Sequence, residues 1–247
     1  NPLSKDGIYY KHDETNMLKG YAMIIAPDDS LYYRGAYFFT FQFPVNYPFD
    51  PPKLTYMTNN GRVRFHPNLY KSGKVCLSIL NTWKGETWTS CQTIRTVLLT
   101  LITLFHNKPL LNEPGITERH RDFVNYNKCI EFESVTTAII GVLTYQLNLP
   151  NEFHTFITLY KNYIIKHQSE LLEYVKNKKE ETPKKKLHFI NLYNFNSTID
   201  WESTYNSLLI LLNKTDDKSD DKSDDKSDDK CDDKCDDKSD DKSDDKS

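Results

Sequence analysis

A chain of 247 residues suits one or two domains, and its formal net charge of −3 averages a mildly basic part and an acidic tail. No apolar run reaches the ~20 residues of a membrane-spanning helix, and the first six residues are polar, so neither a membrane protein nor a signal peptide is predicted. The five cysteines are odd in number and follow no regular framework. This pattern favours free thiols in a reducing compartment, the cytoplasm or the nucleus.

The last part of the chain, 216–247, consists of eight copies of Asp-Asp-Lys-Ser, with Cys231 and Cys235 replacing the serine in two of them. Two Asp and one Lys in each copy give the repeats a net charge of −8, which leaves +5 on residues 1–215. Repeats with so little apolar surface cannot offset the entropy lost on ordering. We therefore expect residues 216–247 to be disordered and the two cysteines to form no metal site.

Short segments in the first quarter of the chain alternate apolar and smaller or polar side chains, as strands do. They are Gly20–Ile25, Ala36–Phe43 and Lys53–Met57, with Ile8–Tyr10 as a fourth candidate. Turn-forming residues separate them, first Pro27-Asp28-Asp29-Ser30 and then the proline-rich corner Pro44–Pro52. Short connections between consecutive strands favour an antiparallel meander.

The segment Phe65–Ser90 has no regular period, and helical periodicity begins after it, with Ser90 or Thr89 as the expected N-cap. The predicted apolar stripe of this helix is Ile94, Val97, Leu98, Leu101, Leu104 and Phe105. A long helix is predicted over Arg121–Leu147, with Phe123, Tyr126, Ile130, Val135 and Ile139 among its buried residues. Cys91 and Cys129 are expected to be packing residues.

The C-terminal third of the chain is predicted to be mostly helical. Phe153–Lys178 is predicted as one helix, and a basic linker containing Lys178-Lys179 and Lys184-Lys185-Lys186 follows it. Asp200 is the expected N-cap of a last amphipathic helix that carries Trp201, Tyr205, Leu208, Leu209 and Leu212. The lysine cluster has no base-reading module beside it, so nucleic acid is not an expected partner.

The most informative string is Arg64-Phe65-His66-Pro67-Asn68, followed after seven residues by Cys76-Leu77-Ser78-Ile79-Leu80. Upstream stands Tyr47-Pro48-Phe49-Asp50-Pro51-Pro52. The arrangement resembles the catalytic core of ubiquitin-conjugating enzymes, whose hallmarks are a His-Pro-Asn triplet, a cysteine eight residues after that Asn, and a preceding Tyr-Pro-Phe-x-Pro-Pro. The two-tryptophan segment 83–88 and Asn112-Glu113-Pro114-Gly115 are most similar to the Z-type branch of that family.

The resemblance covers about Gly7–Leu143 and continues more weakly towards Leu212. It implies an α/β (α+β) fold, a four-stranded antiparallel meander with helices packed on it. The implied catalytic core is 1–147, with a helical extension over 148–215 and the repeats over 216–247. The family's first helix has no room in Asn1–Asp6, so either the chain is a fragment or its N-terminus is reorganised.

The resemblance also implies that Cys76 accepts ubiquitin, or a related modifier, from an activating enzyme as a thioester. The modifier then passes to a substrate lysine or to a ligase cysteine. No metal or organic cofactor is implied, because the upstream activating enzyme uses the ATP. Two alternatives remain: conjugation of a different ubiquitin-like modifier, and a non-catalytic scaffold that binds ubiquitin or ligases. Retention of Cys76 argues against the scaffold, and a cysteine hydrolase is more remote.

Thioester chemistry suits an exposed loop cysteine without a close general base, since such a base would promote hydrolysis of the carrier. The resemblance assigns Asn68 to the oxyanion formed during amine attack, or to holding the active-site loop. His66 and Pro67 are expected to support that loop, with His66 structural rather than a base. Glu113 either positions or deprotonates the incoming lysine, or is a solvated loop carboxylate.

A second surface resembles the one that binds RING or HECT ligase domains. It comprises Pro48 and Phe49 with the loop Thr89-Ser90-Cys91. The alternative for Phe49 is core packing in the proline corner. The loop departs from the family's usual Ser-Pro-Ala, so the choice of ligase is left open.

Overall fold

The computed structural model describes residues 3–216, with side chains as far as Asn213. The prediction that the acidic repeats are disordered concerns residues 217–247, which lie outside this range. Cys231 and Cys235 also lie outside it. Within residues 3–216, no helix combines the length and the apolar character that crossing a bilayer requires.

Four strands form one antiparallel sheet in chain order: β1 Ile8–His12, β2 Lys19–Ile25, β3 Ala36–Gln42 and β4 Lys53–Tyr56. Tyr10 pairs with Ala22, and Met23 pairs with Phe38, which fixes the register of the first three strands. The predicted meander is confirmed, and the fourth candidate strand is real and two residues longer than expected.

Both faces of this sheet are buried, because β2 and β3 carry large apolar side chains at successive positions. One face contributes Ala22, Ile24, Tyr37, Phe39 and Phe41 to a main core. The other contributes Tyr21, Met23, Ile25, Ala36 and Phe38 to a second core. The helices within residues 94–133 pack mainly on the first face, and the C-terminal helices cover the second.

Helix α1, Ile94–Ile102, begins later than predicted. Thr93, not Ser90 or Thr89, is its N-cap: the Thr93 Oγ1 accepts from the Thr96 N–H at 3.3 Å. The Thr96 hydroxyl oxygen accepts in return from the Thr93 N–H at 3.4 Å. This reciprocal capping box satisfies two donors that a helix start would leave unpaired. The predicted burial is confirmed, since five residues of the stripe are buried and Ile94 is half-buried. Leu104 and Phe105 lie after the end of the helix at Ile102, so the predicted helix was too long at its C-terminus.

Helix α2, Phe123–Glu133, starts two residues after the predicted start and continues as a wider π-helical segment, Ser134–Gly141. All five predicted core residues of this region are buried. Cys129 is also buried, as expected, and burial raises the pKa of its thiol to about 12. The wide turns begin directly after Glu133, a buried carboxylate that accepts from the Ser197 hydroxyl at 2.7 Å.

The predicted helix Phe153–Lys178 is two helices, α3 His154–Lys166 and α4 Gln168–Glu181, which break at His167. The predicted basic linker is wrong: Lys178 and Lys179 lie in α4, and Lys186 begins a strand. This strand, β5 Lys186–Ile190, pairs antiparallel with β6 Phe195–Ile199. Its alternation was hidden because polar His188 faces inward while Leu187 and Phe189 face outward.

A buried arginine joins the sheet to the C-terminal helices. Arg34, in the turn before β3, donates to Glu170 of α4 at 2.7 Å, and its carbonyl accepts from the Tyr160 hydroxyl of α3 at 2.8 Å. Beside it, the Tyr33 ring stacks on the Tyr174 ring with centroids 3.9 Å apart. The extension therefore packs directly against the sheet, whereas the predicted boundary at 147/148 stays a prediction.

The last helix, α5 Trp201–Asp216, begins as predicted. The Asp200 carboxylate accepts from the Ser203 N–H at 3.0 Å, which is an N-cap contact. Trp201, Leu208 and Leu212 are buried in the second core. The apolar stripe of α5 thus closes the core that covers the second face of the sheet.

Replacing Leu208 with Asp should lower the free energy of unfolding by roughly 4 kcal/mol, because it places an unpaired charge in a dry core. Leu208 is 0% exposed, whereas Ile210 on the same helix is 58% exposed. Ile210→Asp is therefore the matched control and should change stability little. Urea unfolding of both variants checks this; equal effects would mean that α5 does not pack as described.

Candidate active site

A tight turn brings Cys76 back to Asn68. After Leu69 the chain reverses at Tyr70–Lys74, where the Tyr70 N–H donates to the Lys74 carbonyl at 3.0 Å. Gly73 supplies a positive φ of 86° in this turn, and Leu69 bridges to Val75 across it. The Cys76 N–H then donates to the Asn68 carbonyl at 2.9 Å. The fixed interval between the two residues is thus the length of one closed turn.

The side chain of Asn68 is buried and holds the backbone of the cysteine. Its Nδ2 donates to the Cys76 carbonyl at 2.6 Å. Its Oδ1 faces the Asn112 Nδ2 at 3.5 Å. The contact corresponds to the loop-holding role anticipated for Asn68, and its role towards an oxyanion stays a prediction.

Cys76 exposes only 1% of its surface. The expectation of an exposed loop cysteine is therefore wrong for this conformation. A cleft of about 430 Å³ opens between Asn81–Lys84 and Pro114, on the segments that follow Cys76 and Glu113. Acyl transfer requires contact with the sulfur, so a Cys76 that carries an acyl group would need its surroundings to move from this arrangement.

His66 is fully buried, and its ring supports the loop. Its Nδ1 accepts from the Asn68 N–H at 3.0 Å, which places the ring proton on Nε2. Nε2 has no hydrogen-bond partner among the described residues. Burial, with His106 and Arg64 nearby, holds the pKa of His66 well below its ordinary value. A neutral ring whose Nδ1 is already bonded fits the structural role better than a base. Its neighbour Pro67 is also buried, and the Pro67 carbonyl accepts from the Arg64 guanidinium.

Because His66 is neutral when folded but gains a proton below about pH 6.5 when unfolded, acid should destabilise the fold. The contribution of the neutral His66 ring to the free energy of unfolding is complete above pH 6.5. Below this pH it is lost at up to ~1.4 kcal/mol per pH unit. Urea unfolding from pH 7.5 to 5 measures the slope. His66→Asn keeps an acceptor for the Asn68 N–H and should flatten the slope. An unchanged slope in that variant would contradict the assignment.

Glu113 follows a short 3-10 turn, Pro109–Asn112, and is half-buried. Its Oε2 accepts from the Tyr193 hydroxyl at 2.6 Å. Of the two interpretations of Glu113, the solvated loop carboxylate is therefore wrong. Its role in the attack of the lysine stays a prediction. The sequence did not single out Asn112 or Tyr193 as site residues. Asn112 entered only as part of a motif, and Tyr193 lies between the predicted basic linker and the last helix, where no element was predicted.

Trp88 connects the two segments of the predicted partner surface. Its Nε1–H donates to the Pro48 carbonyl at 2.8 Å, and Pro48 follows a cis peptide bond. Phe49 is 76% exposed, so core packing, the alternative for this side chain, is wrong. Thr89, Ser90 and Cys91 are exposed beside the same tryptophan. Cys91 as a packing residue is also wrong, and its exposure places it on the surface predicted to bind a ligase.

Residues 2–139 match a family model described as "Ubiquitin-conjugating enzyme". The chain is 40% identical over 148 residues to "Ubiquitin-conjugating enzyme E2 Z" of Xenopus tropicalis, which is 59% of this chain and 47% of that protein. It is 42% identical over 140 residues to the human protein of the same name, 56% of this chain and 40% of that protein. "Probable ubiquitin-conjugating enzyme protein 17" of Caenorhabditis elegans is 39% identical over 163 residues, 61% of this chain and 22% of that protein.

These matches confirm the resemblance to the family and to its Z-type branch. The chain spans less than half the length of each of these three relatives. What the relatives' names say of activity therefore applies to those proteins, and for this chain it is a matter for proposal.

Proposed function

The chain belongs to the ubiquitin-conjugating enzyme family, and on this basis we propose that it carries ubiquitin as a thioester on Cys76. It would accept the modifier from an activating enzyme and transfer it to a substrate lysine or to a ligase cysteine. The observation that carries the proposal is the direct contact of Asn68 with the Cys76 backbone, inside a sheet-and-helix frame of the family's type.

Loading exchanges one thioester for another. The Cys76 sulfur attacks the C-terminal carbonyl of the modifier, a new carbon–sulfur bond forms, and the bond to the activating enzyme's cysteine breaks. The Cys76 proton ends on the released thiol. No net energy input is needed at this step, which is consistent with our proposal that no metal or organic cofactor takes part.

Discharge replaces sulfur by nitrogen. A lysine amine attacks the thioester carbonyl, an oxyanion develops, and the Cys76 sulfur leaves as the amide forms. We assign Glu113 to positioning the lysine or taking its proton, and Asn68 to the transition state, either through the oxyanion or through the loop. The buried, neutral His66 and its neighbour Pro67 keep the loop in place without promoting hydrolysis.

We also propose that the exposed surface around Phe49 binds a ligase, as the resemblance to the family implies. Phe49 and the loop Thr89-Ser90-Cys91 are exposed beside the half-buried Pro48. An exposed phenylalanine beside such a loop suits a RING or HECT ligase. We also propose a cytoplasmic or nuclear location, because an odd number of cysteines without a regular framework favours free thiols in a reducing compartment.

A second candidate function is a scaffold that binds ubiquitin or ligases without carrying a thioester. The burial of Cys76 favours it, since an acyl carrier must expose its sulfur. A third, conjugation of another ubiquitin-like modifier, would use the same residues.

One charging panel separates the three. The chain is incubated with ATP and, in separate reactions, ubiquitin or another modifier together with its own activating enzyme. The proposal predicts a reductant-sensitive band about one ubiquitin heavier in the ubiquitin reaction. A band with a different modifier alone would favour the third candidate. No band in any reaction, together with ubiquitin binding by titration, would favour the scaffold.

A further inference from the structure

The turn between β5 and β6 reaches the active-site segments although it belongs to the C-terminal extension. Tyr193 lies in this turn and is half-buried. Its hydroxyl donates to the Glu113 Oε2 at 2.6 Å, and its ring lies 4.5 Å from the Arg64 Cζ. One side chain therefore contacts two segments that are about fifty positions apart in the sequence.

The contact with Arg64 supports the motif that carries Asn68. The guanidinium contacts two rings, with its Cζ 3.7 Å from the Tyr70 centroid and 4.5 Å from the Tyr193 centroid. It also donates to the Pro67 carbonyl, directly before Asn68. Contact with two aromatic faces restricts the rotation of the arginine side chain. The turn at Pro67 is thereby supported from the extension.

The contact with Glu113 supports the segment that faces the Asn68 side chain. Asn112, the residue before Glu113, faces the Asn68 Oδ1 at 3.5 Å. A hydrogen bond that fixes the Glu113 side chain also limits how far Asn112 can move. Tyr193 thus contacts one residue on each of the two segments whose asparagines face each other.

The turn itself is anchored independently of the Tyr193 hydroxyl. The Leu192 N–H donates to the Asp122 carboxylate at 2.8 Å. The Lys71 ammonium donates to the carbonyls of Tyr193 and Asn194, both at 3.3 Å. Removing one hydroxyl would therefore leave the turn in place. Burial and the neighbouring Glu113 carboxylate raise the pKa of Tyr193 above its ordinary value, so the phenol keeps its proton to donate.

We propose that Tyr193 is a positioning residue for lysine attack, which acts by orienting the Glu113 carboxylate through its hydroxyl and Arg64 through its ring. The proposal rests on the proposed function, since it assigns Glu113 to the discharge step. It makes the β5–β6 turn of the extension a part of the active site's support, beyond the catalytic core that the motifs delimit.

Tyr193→Phe is the direct test, because it keeps the ring against Arg64 and removes only the donor to Glu113. The variant should load normally on Cys76 and should discharge to free lysine about tenfold more slowly. Tyr174→Phe is the matched control: the Tyr174 hydroxyl donates to the Glu131 carboxylate at 3.1 Å, away from the active-site segments. It removes the same kind of bond from the extension and should leave both rates unchanged.

A double-mutant cycle distinguishes positioning from general stabilisation. If Tyr193 acts through Glu113, then Tyr193→Phe should slow discharge less than twofold in a Glu113→Gln background. An equal loss in both backgrounds, normal discharge in Tyr193→Phe, or slow loading with normal discharge would each overturn the proposal. Normal discharge in Glu113→Gln beside slow discharge in Tyr193→Phe would overturn it as well. A wild type that never loads would instead refute the proposed function, and this inference with it.

Discussion

Replacing Asn68 with alanine is expected to leave loading of Cys76 largely intact and to slow discharge to free lysine by about 100-fold. Loss of a single oxyanion donor typically costs 10² to 10³ in rate, or ~3 kcal/mol. The structure adds a second effect, because the same amide donates to the Cys76 carbonyl at 2.6 Å and that bond would also be lost. Single-turnover discharge of the purified, loaded proteins measures the rate.

The two roles of Asn68 give different results. If the amide acts on the transition state as well as on the loop, discharge slows far more than loading does. If it only holds the loop, loading and discharge should fall together and the melting temperature should drop. Asn112→Ala removes the long 3.5 Å contact to Asn68 and a 3.3 Å contact to His106, but it leaves the Asn68–Cys76 bond in place. It should therefore have a much smaller effect on discharge. Equal discharge rates for wild type and Asn68→Ala would rule out both roles.

The sheet and the central motif could be predicted because both are local in sequence. Alternating side chains on β2 and β3 set the strand period, and the interval between Asn68 and Cys76 matches one closed turn. The N-cap of α1 was misplaced, since Thr89, Ser90 and Thr93 all carry a suitable hydroxyl. Only the reciprocal bond with Thr96 distinguishes Thr93 from the others.

The rest depends on tertiary contacts that no local pattern encodes. β5 buries His188 while exposing Leu187 and Phe189, which reverses the usual strand pattern. Without a visible strand pattern, the lysine run Lys184-Lys185-Lys186 was interpreted as a linker. The burial of Cys76 and the hydrogen bond between Tyr193 and Glu113 both depend on segments that are distant in the sequence. Neither feature could therefore be predicted from the spacing of residues.

Replacing Cys76 with alanine is expected to abolish loading completely, the largest effect predicted here, because no other residue would supply the acyl-carrying sulfur. Cys76→Ser should form an oxygen ester that survives reductant. Cys91 is the natural control, since it is an exposed thiol whereas Cys76 is buried. Cys91→Ala should load at the wild-type level, although its binding to a ligase should change if it belongs to the partner surface.

The most direct measurement is the intact mass of the protein after incubation with activating enzyme, ATP and ubiquitin, followed by peptide mapping of the modified residue. The account predicts a gain of one ubiquitin less one water, removed by reductant and mapped to Cys76. Cys76→Ala should show no gain. A reductant-sensitive gain that persists in Cys76→Ala, or that maps to Cys91 in the wild type, would contradict the central claim.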